Sequence, residues 1–274
     1  MSKDIRIICL LGKGTYGRVY LAYDGKNGRY VAIKKIKCKE EEGVPASALR
    51  EIHILKKNKH ENIVKMYDVQ FEEYKTNEIC LNIYLEYMDY DLHKYIYEYG
   101  FLTKNNIPII LKNILKGVYY LHKNRYIHRD IKPQNILINE NNEIKLCDFG
   151  LSRQLSNTNR KYICEVTTLW YRAPELFEND QNYTIAIDMW SIGCIFAEMI
   201  IERPLLPGEN NNEQIKLLEN LNNLQCENLK AQIEKIIDEL EYEGSKLLFN
   251  MLEFNPKTRI SSKKSLQSKY FWSI

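Results

Sequence analysis

No stretch of this sequence approaches the ~20 consecutive apolar residues that a membrane-spanning helix requires. The start, Met1-Ser2-Lys3-Asp4-Ile5-Arg6, carries charges where a secretory signal needs an apolar run. The seven cysteines (Cys9, Cys38, Cys80, Cys147, Cys164, Cys194 and Cys226) include no C-x-x-C pair, so neither a zinc knuckle nor a redox pair is visible. Their odd number and wide scatter fit small apolar core residues in a reducing compartment. A strong charge of either sign is also missing: 39 basic and 36 acidic residues leave a net charge of +3. That balance does not favour a nucleic-acid or membrane-surface partner. There is no internal repeat, and Asn210-Asn211-Asn212 is only a short polar loop. The expectation is a soluble intracellular protein, in the cytoplasm, the nucleus or both.

What is present is an ordinary globular composition, 45% hydrophobic and 27% charged over 274 residues. That length suits one large domain or two lobes. The first eighty-odd residues alternate apolar and polar positions. Val19, Leu21 and Tyr23 share one strand face, and Val31, Ile33 and Lys35 share another. One helix interrupts this region, with Pro45 as its expected first residue and an apolar stripe through Ile52 and Leu55. After residue 90 the pattern becomes helical, with Ile107, Ile110, Leu111, Ile114, Val118 and Leu121 at three- and four-residue steps. Two short apolar runs, Ile136–Ile138 and Ile144–Leu146, flank a turn. From Ile185 onward the chain reads as helical. The expectation is an α+β, bilobal architecture: a β-rich lobe over 1–87, a helical lobe over 88–274, and a cleft between them.

Gly12, Gly14 and Gly17 form G-x-G-x-x-G, which lets backbone N–H groups approach phosphates. A dinucleotide fold would need a helix next; here a second strand, Arg18 to Tyr23, follows instead. In Val31-Ala32-Ile33-Lys34, alternation puts Ala32 and Lys34 on one face, a small apolar surface beside an ammonium. Glu51 lies on the helix that follows, on the face of Leu55. If that face is buried, Glu51 needs a cation, and Lys34 is available.

The segment His128-Arg129-Asp130-Ile131-Lys132-Pro133-Gln134-Asn135 is the most specific. Asp130 can accept the proton of an attacking hydroxyl, and Lys132 can neutralise charge on a transferred phosphoryl group. Asn135 offers a neutral oxygen to a hard metal such as Mg²⁺. Asp148-Phe149-Gly150 supplies a second metal ligand. His128 reads as a packing residue rather than a proton shuttle.

In this order, and with Ala173-Pro174-Glu175 after them, these motifs resemble the protein-kinase signature set over residues 6 to 272. Lys132 in its loop is similar to Ser/Thr kinases. The resemblance implies ATP and Mg²⁺ as cofactors. It also implies adenine bound by the backbone near Glu86-Tyr87-Met88, with Leu85 guarding the back of the pocket and Leu11, Val19, Ala32 and Leu137 contacting the nucleotide.

Residues Glu42 to Glu51 resemble the PSTAIRE helix of the cyclin-dependent kinases, of the CMGC group. Leu169 to Glu175 and Trp190 to Met199 are similar to that family too. The resemblance implies a cyclin-like activator and protein substrates carrying Ser/Thr-Pro, with Val166, Thr167 and Arg172 shaping that pocket. Thr15 and Tyr16 match inhibitory phosphorylation sites. Arg50, Arg129 and Arg153 match the arginines that bind an activating phosphothreonine. Asp188 matches the aspartate that holds the catalytic-loop backbone, and Arg259 the buried arginine that pairs with Glu175.

Two departures stand out. The activating threonine's position holds Ile163, which cannot carry phosphate. Solvent anions, Glu165, a phosphorylated Tyr162 or Thr158, or activator contact alone are the alternatives. The segment Asn210 to Leu240 is shorter than the family's usual one, which argues against a Cks-type subunit. Two other readings are a cyclin-independent kinase of the same group and a pseudokinase that only binds nucleotide. Lys34, Asp130, Asn135 and Asp148 are all intact, which speaks against the second.

Overall fold

The computed structural model describes residues 4–14, 17–38, 43–73, 79–155, 169–177, 183–223 and 227–272. Thr15 and Tyr16 lie outside the described residues, as do Thr158, Tyr162, Ile163, Glu165, Val166 and Thr167.

The first lobe is an antiparallel sheet with one helix. Its elements are β1 (Ile5–Gly14), β2 (Gly17–Asp24), β3 (Arg29–Cys38), α1 (Ala46–Lys57), β4 (Met66–Glu73) and β5 (Ile79–Glu86). The strand order is β1-β2-β3-β5-β4. Period-two alternation divides the sheet into two faces. Ala22, Val31, Ile33 and Tyr84 bury together on one. Val19 opposite Lys34, and Ala32 opposite both Leu21 and Leu85, lie on the other, which faces the second lobe. Glycine is required at Gly17, because a Cβ there would sit 2.1 Å from the Lys35 carbonyl oxygen on β3.

Helix α1 buries Ser47, Ala48, Glu51, Ile54 and Leu55, a stripe at three- and four-residue spacing. Pro45 is its N-cap rather than its first residue, with ψ 136° keeping it extended. Lys56 and Lys57 in the last turn suit the negative end of the helix dipole. Asn58 ends the helix and returns its side-chain amide to the Ile54 carbonyl at 3.0 Å.

The second lobe begins with β6 (Tyr90–Asp91), α2 (Leu92–Tyr97) and α3 (Ile107–Lys123). Asp91 caps α2 by accepting the Lys94 backbone N–H at 2.9 Å. Next come β7 (Tyr126–Ile127), β8 (Ile136–Ile138), β9 (Ile144–Leu146) and β10 (Arg153–Gln154). Among the described residues that follow, the α-helices are α4 (Ala186–Ile201), α5 (Asn211–Asn223), α6 (Glu227–Met251) and α7 (Ser262–Ser265). Helix α4 is apolar nearly all round, and Trp190, Ile192, Ile195 and Phe196 on it are fully buried, so it forms the axis of this lobe. Helix α6 breaks at Glu241, whose φ of 55° and ψ of −169° are not helical.

The loop after α1 is bonded to the second lobe. Leu146 N–H donates to the Asn62 carbonyl and Val64 N–H to the Leu146 carbonyl, both at 2.9 Å. The Asn62 side-chain amide reaches the Ile144 carbonyl, also at 2.9 Å. Among the described residues no helix is long and apolar enough to cross a membrane.

Candidate active site

A cleft of about 790 Å³ lies between the lobes, within the range of nucleotide-sized ligand pockets. Leu11, Gly12, Gly17, Val19 and Ala32 form its roof, Leu85 and Val64 its back, Glu86 and Met88 its outer strap, and Leu137 lies on its β8 side. Gly14 stands opposite Gly17 where the β1–β2 hairpin closes. A Cβ on Gly12 would meet nothing within 4 Å, so the roof backbone there is open to a ligand.

The polar residues gather at the inner end of the cleft. Lys34 Nζ donates to Glu51 Oε2 at 2.7 Å and to Asp148 Oδ1 at 3.1 Å. Burial alone would push the Lys34 ammonium down, but the two carboxylates hold it well above its usual range. Burial, helped by the nearby Asp148 carboxylate, leaves the Glu51 carboxyl above its usual range although Lys34 pulls it down. The 2.7 Å contact has the length of a charge-assisted hydrogen bond.

Asp148 has left-handed backbone, with φ 57°. Burial pushes its carboxyl up, yet Lys34, His128 and the Gly150 N–H more than offset this, leaving it below its ordinary 3.8. A folded pKa below the unfolded one stabilises the fold above the unfolded value and ceases to do so as pH falls through the folded one. Wild type therefore exceeds Asp148→Asn in stability by a constant margin above about pH 5, and the margin shrinks below the ordinary 3.8. Denaturant midpoints of the two proteins between pH 3 and pH 6 check this. A margin that grows on acidification would contradict the Lys34–Asp148 coupling.

Across the cleft, Asp130 Oδ2 lies 3.1 Å from Lys132 Nζ and accepts from Asn135 Nδ2 at 2.9 Å. The same Nδ2 donates to the Asp130 carbonyl at 2.8 Å. Asn135 Oδ1 thereby has no donor among the described residues, and it lines the cleft together with Asp148. These two oxygen ligands fit a hard cation that keeps water and phosphate oxygens as its remaining ligands. Among the described residues no cluster of three His, Cys, Asp or Glu forms a metal site.

The loop carrying Asp130 is held from behind. Asp188 on α4 accepts the backbone N–H of both His128 and Arg129 at 2.9 Å. This holds Arg129 at a left-handed φ of 73°. Burial pushes the Asp188 carboxyl up, but these donors and His122 Nε2 at 2.9 Å bring it below its ordinary value. His128 is fully buried, with Nε2 against the Cys147 carbonyl at 3.1 Å and its ring 5.0 Å from Phe149. It packs, as expected from the sequence.

Arg50 Nε donates to the Gly150 carbonyl at 2.9 Å, and Arg129 Nη1 to the Leu151 carbonyl at 3.2 Å. Arg153 stands on β10 opposite Ile127. The structure thus draws Arg50 and Arg129 to the same short stretch after Asp148. Arg172 lies with its guanidinium 5.4 Å from the Phe177 ring.

Sequence reasoning did not single out Val64, Asp91, Lys94 or Cys147, which also line the cleft. Cys147 could have been found from its place beside Asp148. Val64 sits in a loop with no local signal. His122 was also missed; its ring bridges Asp188 and Ser262 Oγ, 140 residues away.

This two-lobed arrangement, with its glycine-roofed cleft and its paired lysine and carboxylates, agrees with comparison to known families. The model described as protein kinase domain matches residues 5–271. A match over nearly the whole chain shows that this protein belongs to the protein kinase family.

Proposed function

We propose that this kinase transfers the γ-phosphate of ATP to Ser or Thr followed by Pro, and that a cyclin-like subunit activates it. The observation carrying the reading is the Asp130 carboxylate, 3.1 Å from Lys132 and lining the same cleft as the Lys34–Glu51 pair. Adenine lies between Val19, Ala32 and Leu137 and meets the backbone of Glu86 and Met88. Leu11 closes the roof. Lys34 binds phosphate oxygens and Glu51 orients Lys34. Asn135 and Asp148 would hold Mg²⁺, which would supply charge neutralisation at the phosphates. The substrate hydroxyl oxygen forms the new bond to the γ-phosphorus as the bond to the β-phosphate oxygen breaks and ADP departs. Asp130 takes the hydroxyl proton, and Lys132 offsets charge on the phosphoryl oxygens.

The outer face of α1 supports an activator. Leu49 there is 54% exposed, and Phe71 and Ile79 on β4 and β5 are also exposed. The lysine in the Asp130 loop and the PSTAIRE-like helix support the Ser/Thr and cyclin-dependent assignments. A second reading, a relative that needs no activator, is favoured by one observation: Lys34 and Glu51 are already paired in the chain alone.

Initial rates on a Ser-Pro peptide and a Ser-Ala control, with Mg-ATP, test both. Turnover that requires a cyclin and the proline supports the main reading. Equal turnover by the chain alone establishes the second. Equal rates on the two peptides remove the proline preference.

A further inference from the structure

Lys145 has no role in the chemistry above, yet its surroundings are unusual for a lysine. It lies on β9 with its side chain only 11% exposed, and its Nζ lies 3.2 Å from Glu86 Oε1. The other oxygen, Glu86 Oε2, accepts the Lys65 backbone N–H at 3.2 Å. The Glu86 backbone N–H returns to the Lys65 carbonyl at 2.8 Å. Glu86 is the last residue of β5, where the chain crosses from one lobe to the other. Its carboxylate therefore links the strap of the cleft to a strand of the second lobe.

The base of this link is rigid. Asn62 clamps both neighbours of Lys145, taking the Leu146 N–H and donating to the Ile144 carbonyl, each at 2.9 Å. Lys145 pairs in register with Leu137, which lines the cleft. A buried ion pair adds little stability over a well-packed apolar pair. What it adds is direction: two bonds on one carboxylate fix the rotation of the peptide units beside it. Those are the units whose N–H and C=O meet adenine in the reading above.

We infer that Lys145 is a positioning residue, acting through the Glu86 carboxylate to aim the strap backbone at the purine. This rests on the proposed adenine contact at Glu86 and Met88. Lys145 does not line the cleft, so its effect reaches the nucleotide only through that backbone.

Calorimetric binding of two probes to the full chain separates aiming from general loosening. Adenosine reads the strap end of the cleft, and magnesium tripolyphosphate reads the lysine and carboxylate end. Lys145→Met, which keeps length without charge, weakens adenosine binding roughly tenfold and leaves tripolyphosphate binding unchanged. Lys145→Arg restores adenosine binding. If Lys145→Met does not fold, Glu86→Gln gives the same selective loss. Unchanged adenosine affinity, or equal losses for both probes, overturns the inference. A wild-type chain that binds tripolyphosphate but not adenosine overturns the strap–adenine reading, and this inference with it.

Discussion

Asp130→Asn removes phosphate transfer, by about 10²- to 10⁴-fold in kcat, while ATP binds with nearly unchanged affinity. The carboxylate holds two donors, Lys132 Nζ at 3.1 Å and Asn135 Nδ2 at 2.9 Å, and has capacity left to accept a proton from a hydroxyl. An amide of the same shape keeps one acceptor oxygen but cannot take that proton. Of the parts that would grip ATP, the Lys34–Glu51 pair, Asp148 and the apolar roof make no bond to Asp130 described above. Asn135, which does, keeps the Asp130 carbonyl and the amide oxygen of the variant as acceptors for its Nδ2. Single-turnover transfer measured beside ATP affinity separates the two effects. Near-normal transfer by the variant would show that the base lies elsewhere. A parallel loss of ATP affinity would show that Asp130 organises the nucleotide rather than the acceptor.

The largest expected loss of stability is at Arg259→Ala. The Arg259 side chain has 0% exposure, and its Nη1 and Nη2 meet the two oxygens of Glu175 at 2.7 and 2.8 Å. The same guanidinium donates to the carbonyls of Glu253, Ala186 and Phe254. Its central carbon lies 5.2 Å from the Trp190 ring. Truncation leaves a buried carboxylate and three carbonyls without their donor. Breaking one side of such a pair costs about 3–5 kcal/mol, or a fall of about 10 °C in Tm for a chain of this size. Replacing both partners by apolar residues of similar volume recovers part of that loss, because no charge is then left alone. Thermal melting of the single and double variants checks both statements. An unchanged Tm for Arg259→Ala would mean that water reaches Glu175.

The catalytic-loop and glycine-loop candidates were legible because phosphate chemistry needs them in contiguous runs, and short runs survive in a one-dimensional reading. Glu51 was legible by a different route. A carboxylate on the apolar face of a helix demands a cation, and Lys34 was the nearest one with a reason to be there. The start of α1 was misplaced by one residue, because whether Pro45 caps the helix or begins it is decided by its ψ, which composition does not encode. The two-residue strands β6, β7 and β10 are too short to carry a period. The Asp188 and Arg259 contacts came only from resemblance, since each joins parts of the chain tens of residues apart. His122 and Asn62 were not legible by either route. Their hydrogen bonds run to Ser262 and Ile144, and nothing near them in the sequence points to those partners.

The bonds between the loop after α1 and β9 make that helix a lever with a fixed fulcrum. Its C-terminal end is tied to the larger lobe by backbone bonds and a bridge at Asn62, Ile63 and Val64, whereas nearer its N-terminal end the tie is a side-chain one, Arg50 Nε to the Gly150 carbonyl at 2.9 Å. Glu51 stands about 10 Å along the arm from Asn58, at 1.5 Å per residue. A swing of only about 15° about the fulcrum carries Glu51 about 3 Å, as far as the whole Lys34–Glu51 contact is long. A partner pressing on the exposed Leu49, farther out on the arm, works with mechanical advantage on the ion pair. The same swing pulls on the Arg50–Gly150 bond, so the stretch after Asp148 is coupled to the helix while the loop at Asn62 stays in place.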